Sequence, residues 1–157
     1  PSHLNEHEAD ASLARIQGLY FPDNSFNFYD LRHTLRWEMT RKSGIFRSEE
    51  KLSIARDTIY SLAGTFRRCR VHDISPYFNT ELQEALEFEN MLLYSTAIIE
   101  SALARTESRG AHYRTDHPQR DDTAWRSHTY FSFQSGKPFL HYQPVISGTV
   151  SPERRYG

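Results

Sequence analysis

The sequence predicts a mainly α fold: a three-helix-bundle-like domain around one long central helix, with a C-terminal extension containing a small β-hairpin. Three observations lead there. Residues 80–105 run without glycine or proline and are apolar around most of a helical wheel. Three shorter stretches upstream repeat apolar residues at helical spacing, and strand formers cluster only near residues 129–142. The 157 residues suit a single core, and 38% hydrophobic with 13% aromatic content is the composition of a chain that folds.

In the first stretch Ala9, Leu13, Ile16 and Tyr20 recur at helical spacing, and Pro22-Asp23-Asn24-Ser25 supplies the turn that ends it; this helix is expected to be peripheral. The second opens at the capping residue Asn27, carries Phe28, Leu31, Leu35 and Met39 on one face and stops at Ser43-Gly44, leaving Trp37 pointing elsewhere. The third is capped by Ser48, with Glu49 and Glu50 at the positive end of the helix dipole and a stripe of Leu52, Ala55, Ile59, Leu62, Ala63 and Phe66. The fourth has a capping-box pattern, Thr80-Glu81-Leu82-Gln83, and should extend to Arg105 as the central element.

Glu89 and Glu100 break the apolar pattern of that helix, falling on the face of Leu82, Leu86 and Leu93. Buried carboxylates need partners, so arginines from a neighbouring helix or from the loop after Arg105 are the expected donors. A general acid or base with a raised pKa is the alternative that the same placement permits. Beyond residue 106 the charges alternate in sign around Gly110 and Pro118, as in an ordered loop or interface. Thr129–Phe133 and Phe139–Tyr142 then flank the turn signal Ser135-Gly136-Lys137-Pro138, and the last seven residues form a tail expected to drape over the rest. The organisation expected is one domain overall, residues 1–106 forming the bundle and residues 107–157 the charged loop, hairpin and tail packed on it.

Several function classes lose support here. A net charge of -1 gives no global attraction to nucleic acid or anionic lipid, and the Arg67-Arg68-Cys69-Arg70 cluster belongs to no recognised nucleic-acid module. No window reaches the length and apolarity of a membrane span, and the start at Pro1 lacks signal-peptide character. The single Cys69 excludes internal disulfides and multi-cysteine metal sites, and His112, Asp116 and His117, set between Gly110 and Pro118, share no helical ligand face and have no further spaced ligand of metal-site type. The glycines, no two closer than nine residues, form neither a dinucleotide fingerprint nor a P-loop. Ser108 lacks the flanking glycines of a hydrolase elbow. Sixteen arginines against three lysines favour ordered, two-pronged ion pairs or an interface.

One stretch is more particular. Glu107-Ser108-Arg109-Gly110-Ala111-His112, then Pro118-Gln119-Arg120-Asp121-Asp122, then Trp125 and His128, resembles the C-terminal part of the flavoprotein subunit of succinate dehydrogenases and fumarate reductases. Gly44-Ile45-Phe46-Arg47 and Phe78-Asn79-Thr80-Glu81-Leu82 upstream, with Gly136-Lys137-Pro138 and Tyr142-Gln143-Pro144-Val145 downstream, extend the resemblance over residues 10 to 156. It implies a helical domain packed against an FAD-binding domain, in a complex that passes electrons to an iron–sulfur subunit and sits peripherally on the inner or cytoplasmic membrane, on the cytoplasmic side. FAD belongs to the parent protein, and the family's flavin-contacting and dicarboxylate-binding positions lie in domains outside the matched segment, so no catalytic or cofactor-binding residue is carried onto this chain. The segment standing alone, without an initiator methionine, is expected to be an excised domain or truncated product.

Joined to the residue-level reading, the resemblance makes Arg109, His112, Arg114, Arg120 and Asp121 candidate interface residues that order the exit of the fourth helix against the FAD-binding domain, with Glu89 or Glu100 accepting one of the arginines. The corollary is a docking face bearing Trp37 or Trp125 that is prone to self-association when uncovered. L-aspartate oxidase, a freestanding helical adaptor and a small enzyme using Glu89, Glu100 or His112 are the alternatives; the last requires a pocket in which those groups converge.

Overall fold

The computed structural model describes residues 6–21 and 27–146. Four helices come first: α1 (Glu6–Gly18), α2 (Phe28–Lys42), α3 (Glu49–Phe66) and α4 (Thr80–Ala104). Four strands accompany them: β1 (Phe46–Arg47) between α2 and α3, then β2 (Tyr113–Arg114), β3 (Ser127–Gln134) and β4 (Lys137–Pro144). The Pro22–Ser25 turn and the C-terminal tail lie outside the described residues.

The core is the meeting of α2, α3 and α4. Phe28 and Leu35 enter from α2, Leu52, Ala55, Ile59, Leu62 and Phe66 from α3, and Ala85, Phe88, Leu92, Ile99 and Ala102 from α4. Phe66 and Phe88 meet edge to face with ring centroids 5.1 Å apart. Each large side chain withdrawn from water here contributes about 1.5–3 kcal/mol, which is what holds these helices together. α1 is peripheral, as its sparse apolar stripe predicts; Leu13 is 56% exposed, and the backbone bond from Val71 N to Leu19 O ties the residues after α1 to those after α3.

The helix ends follow local chemistry. Asn27 Oδ1 accepts from Tyr29 N, and Ser48 Oγ accepts from Lys51 N. At the start of α4 the cap is Asn79, whose Oδ1 accepts from Leu82 N at 2.8 Å, and not the Thr80 of the capping-box pattern. Gln83 does not reach back; it donates forward to Glu87. The residue before the cap, Phe78, has φ of 54°, a left-handed turn that swings the chain into the helix.

α4 is central but not ringed. Its buried side faces α2 and α3, while Leu93, Tyr94 and Ile98 remain 42%, 69% and 46% exposed. That open strip explains the two acidic residues among its apolar ones: Glu89 and Glu100 sit half-buried at its margins, not in the core. Trp37 on α2 is likewise exposed and carries the Arg41 guanidinium over its ring.

The hairpin forms, and it is longer than the sequence pattern suggests. β3 and β4 pair antiparallel from Ser127↔Pro144 to Gln134↔Lys137. Lys137 and Pro138 belong to the strand, because the turn needs only Ser135 and Gly136, with φ of 50° and 75°. Positive φ at both central residues gives the tight turn whose twist matches paired strands. A second pairing carries no alternation in sequence: β1 lies parallel to β2, Phe46 opposite Tyr113 and Arg47 opposite Arg114. It fastens the segment after α2 to the segment after α4.

Candidate functional site: a buried charge cluster at the exit of α4

α4 ends at Ala104, and a helix end leaves its last carbonyls without intrahelical donors. Arg114 supplies them. Its Nη1 donates to the carbonyls of Ala102 at 3.0 Å, Leu103 at 3.2 Å and Arg105 at 3.4 Å. Its Nε and Nη2 grip Asp116 in a two-pronged pair at 2.7 and 2.8 Å. Arg114 is 1% exposed, so its charge survives burial only because the donors are fully used. Asp116 also accepts from Glu49 N at the start of α3, linking two helix termini through one carboxylate. The Arg114 pair, helped by that amide, holds Asp116 far below the usual carboxylate range.

A second buried charge lies beside the first. Glu107 is fully buried and accepts from Arg105 at 2.6 Å, from Arg109 at 2.7 and 2.9 Å, and from Asp121 N at 2.9 Å. Burial pushes its carboxyl upward, but the bonds from Arg109, Asp121 and Arg105 outweigh it and hold Glu107 below its ordinary value. Arg105 reaches on to the carbonyls of Trp125 and Ser127 and to Thr129 Oγ1, which fixes the hairpin to the helix end. Ser108 has a stapling role: its Oγ accepts from Arg114 N and donates to His117 O.

His112 is held between a backbone carbonyl and a cation. Its Nε2 lies 3.2 Å from the Arg105 carbonyl and its Nδ1 3.0 Å from Arg47 Nη1. A carbonyl can only accept and a guanidinium can only donate, so the ring is neutral with its proton on Nε2. Burial pushes its pKa down; the Arg105 carbonyl opposes this, while the charges of Arg47, Arg114 and Arg105 add to it.

Of the residues singled out from sequence, Arg109, His112, Arg114 and Asp121 therefore come together. Arg120 stays exposed at the edge, donating to Asp122, and that bond with Arg109's brings Asp122 down to about 2. Neither Glu89 nor Glu100 takes an arginine of this loop: Glu89 pairs with Arg15 of α1, and Glu100 accepts from the Tyr60 hydroxyl of α3. Burial and the Glu100 bond push Tyr60 up to about 12. The carboxylate that sequence reasoning missed is Glu107. Its signal was the spacing of Arg105, Glu107 and Arg109, alternate residues that extended backbone places on one side.

Over this cluster lies a cavity of about 500 Å³ whose lining includes Arg47, Arg105, Arg109 and His112 together with Ile98 and His128. Glu89 and Glu100 do not line it, so the three groups of the small-enzyme alternative do not converge. Among the described residues no set of three His, Cys, Asp or Glu side chains is arranged to hold a metal ion, and no helix is long and apolar enough to cross a membrane.

The folded state binds fewer protons at His112, Glu107 and Asp116 than the unfolded chain does. His112 is depressed from 6.5, and Glu107 and Asp116 from 4.5 and 3.8, so their contributions to stability are present above those unfolded values and are lost as pH falls through the lowered ones. Thermal melts at constant ionic strength should show stability declining below about pH 6.5 and more steeply below about pH 4.5. A rise in melting temperature between pH 7 and pH 5 would contradict the assignment of a neutral His112.

The family model for the fumarate reductase flavoprotein C-terminus matches residues 32–156. The succinate dehydrogenase flavoprotein subunit of Coxiella burnetii is 38% identical over 141 residues, covering 90% of this chain and 24% of its own length. The fumarate reductase flavoprotein subunit of Mycobacterium tuberculosis is 40% identical over 130 residues, covering 82% and 22%. The E. coli quinol fumarate reductase flavoprotein superposes with a TM-score of 0.90 at 31% identity, over 96% of this chain and 26% of that one. The chain thus spans about a quarter of the length of the relatives it matches. These likenesses do not favour L-aspartate oxidase. With the match running through α2, α3, α4 and the hairpin alike, the chain belongs to the C-terminal domain family of succinate dehydrogenase and fumarate reductase flavoproteins.

Proposed function

We propose that this chain is the structural, subunit-docking domain of an FAD-dependent succinate dehydrogenase or fumarate reductase, seated against the FAD-binding domain and contributing no reacting group. In such a parent, flavin exchanges a hydride with the dicarboxylate, and the electrons pass to an iron–sulfur subunit of a complex peripheral to the membrane. Among the described residues, those lining the cavity do not fit an FAD site. The cavity at the exit of α4 has three guanidinium groups in its lining and no run of glycine amides to receive a pyrophosphate.

The observation that carries the reading is the open strip of α4. The helix that builds the core also leaves Leu93, Tyr94 and Ile98 in water, continuous with the charge cluster at its exit. Neighbouring exposed apolar side chains on a core helix support a surface that another body covers. The test is hydroxyl-radical footprinting of the full-length flavoprotein against this chain alone. Oxidation of Tyr94 and Leu93 is expected to be several-fold slower in the full-length protein; equal rates would remove the docking role.

A further inference from the structure

Three guanidinium groups line the cavity at the exit of α4, and no carboxylate does. Two of the three are neutralised from behind: Arg105 and Arg109 share Glu107, and Arg109 also holds Asp122. Arg47 differs. Its Nε donates to the Gly44 carbonyl at 2.8 Å and its Nη1 to His112 Nδ1 at 3.0 Å, both neutral acceptors. No carboxylate among the described residues lies within ion-pair reach of it. A guanidinium has five N–H donors, so after these two bonds Nη2 is left with both of its own.

We propose that Arg47, braced by His112 and Gly44, is the receptor for an acidic side chain from the FAD-binding part of the parent flavoprotein, which enters this cavity and completes the ion-pair cluster. The inference rests on the docking reading above and deepens it, naming the chemistry at one end of the interface.

Charge complementarity argues for a carboxylate: an arginine fork matches two carboxylate oxygens, and a half-buried guanidinium without a counterion is costly. Burial lowers the pKa of Arg47, the mark of a cation that the chain by itself leaves uncompensated. Continuity argues for the source, because Ile98 belongs both to the exposed strip of α4 and to the cavity wall. The matched relatives are about four times as long as this chain, so most of the flavoprotein lies outside it. Pre-organisation argues for a built receptor: the β1–β2 pairing, with Thr115 N donating to Arg47 O at 2.8 Å, fixes the backbone of Arg47 before any partner arrives.

The test is zero-length cross-linking in the full-length flavoprotein. R47K places an amine where the guanidinium was, and a water-soluble carbodiimide joins an amine only to a carboxylate already in contact with it. A cross-linked peptide joining position 47 to an Asp or Glu outside this chain is the expected result. H128K, at the exposed edge of the same cavity, gives a second amine that leaves the bonds of Arg47 untouched should R47K fail to fold. A cross-link to Glu153 of the C-terminal tail would overturn the proposal by assigning the cavity to this chain itself. Coupling of added succinate in preference to any protein carboxylate would overturn it in favour of a free dicarboxylate. If footprinting shows Tyr94 protected while neither variant forms an external cross-link, the docking reading stands and the carboxylate receptor falls. If Tyr94 is unprotected, both fall.

Discussion

Replacing Glu107 by alanine should destabilise the chain by about 3–5 kcal/mol, the cost of removing one partner from a buried ion cluster. Arg105 and Arg109 would keep their positions, since each also holds backbone carbonyls, and would face each other without the carboxylate between them. Asp121 N would lose its acceptor as well. For a domain of this size the loss corresponds to roughly 6–20 °C in Tm. E107Q, which preserves shape and one acceptor oxygen, should recover only part of it, because Arg105 then lacks a counter-charge and Arg109 keeps only that of Asp122. Urea unfolding at pH 7 reads the effect as a lower midpoint with unchanged slope. A loss below about 1 kcal/mol would show that water replaces the carboxylate without penalty.

The second large effect belongs to Arg114. R114M keeps much of the volume and removes every donor, exposing three consequences at once. The carbonyls of Ala102, Leu103 and Arg105 lose their cap, Asp116 loses its counter-ion, and the tie from Asp116 to the start of α3 weakens. The expected destabilisation is again about 3–5 kcal/mol. A second readout separates the ion pair from simple packing. The Arg114 bond is the largest cause of Asp116's depressed pKa, so in R114M that carboxyl moves back toward its unfolded value of 3.8. The folded and unfolded states then differ less in bound protons, and the fall in stability below about pH 4 becomes shallower than in the parent sequence. R114K should fall between the two, since an ammonium cannot grip both Asp116 oxygens and the helix carbonyls together. An acid limb of unchanged steepness in R114M would contradict the pairing.

The helices were legible because their signals are local. Asn27 and Ser48 stand where a cap is needed, and the apolar stripes of α2 and α3 face the core as their spacing requires. Where two local signals competed, as at Asn79 and Thr80, the left-handed turn at Phe78 decided which side chain reached the free amide. The loop after α4 was legible as charged but not as a circuit. Alternating signs identify residues that will pair, yet Arg109 could have taken Glu89, Glu100, Glu107 or Asp122, and only their separation in space selects among them. Glu89 and Glu100 illustrate the point. A wheel placed both on an apolar face, and that face is the one the bundle leaves partly open, so they found Arg15 and Tyr60 at its margins.

What the sequence determined alone is the helical architecture, the position of the hairpin and, through the Glu-Ser-Arg-Gly-Ala-His stretch, the family, since these depend on residue type and spacing over short distances. Tertiary structure decided the rest: that Glu107 is the buried acceptor, that β1 and β2 pair across 66 intervening residues, counting from Arg47 to Arg114, and that Arg47 faces a cavity without a carboxylate. The physical reason is range. Capping and periodicity act within a few residues, whereas the balance of a buried charge depends on every polar group that folding brings within hydrogen-bond distance of it.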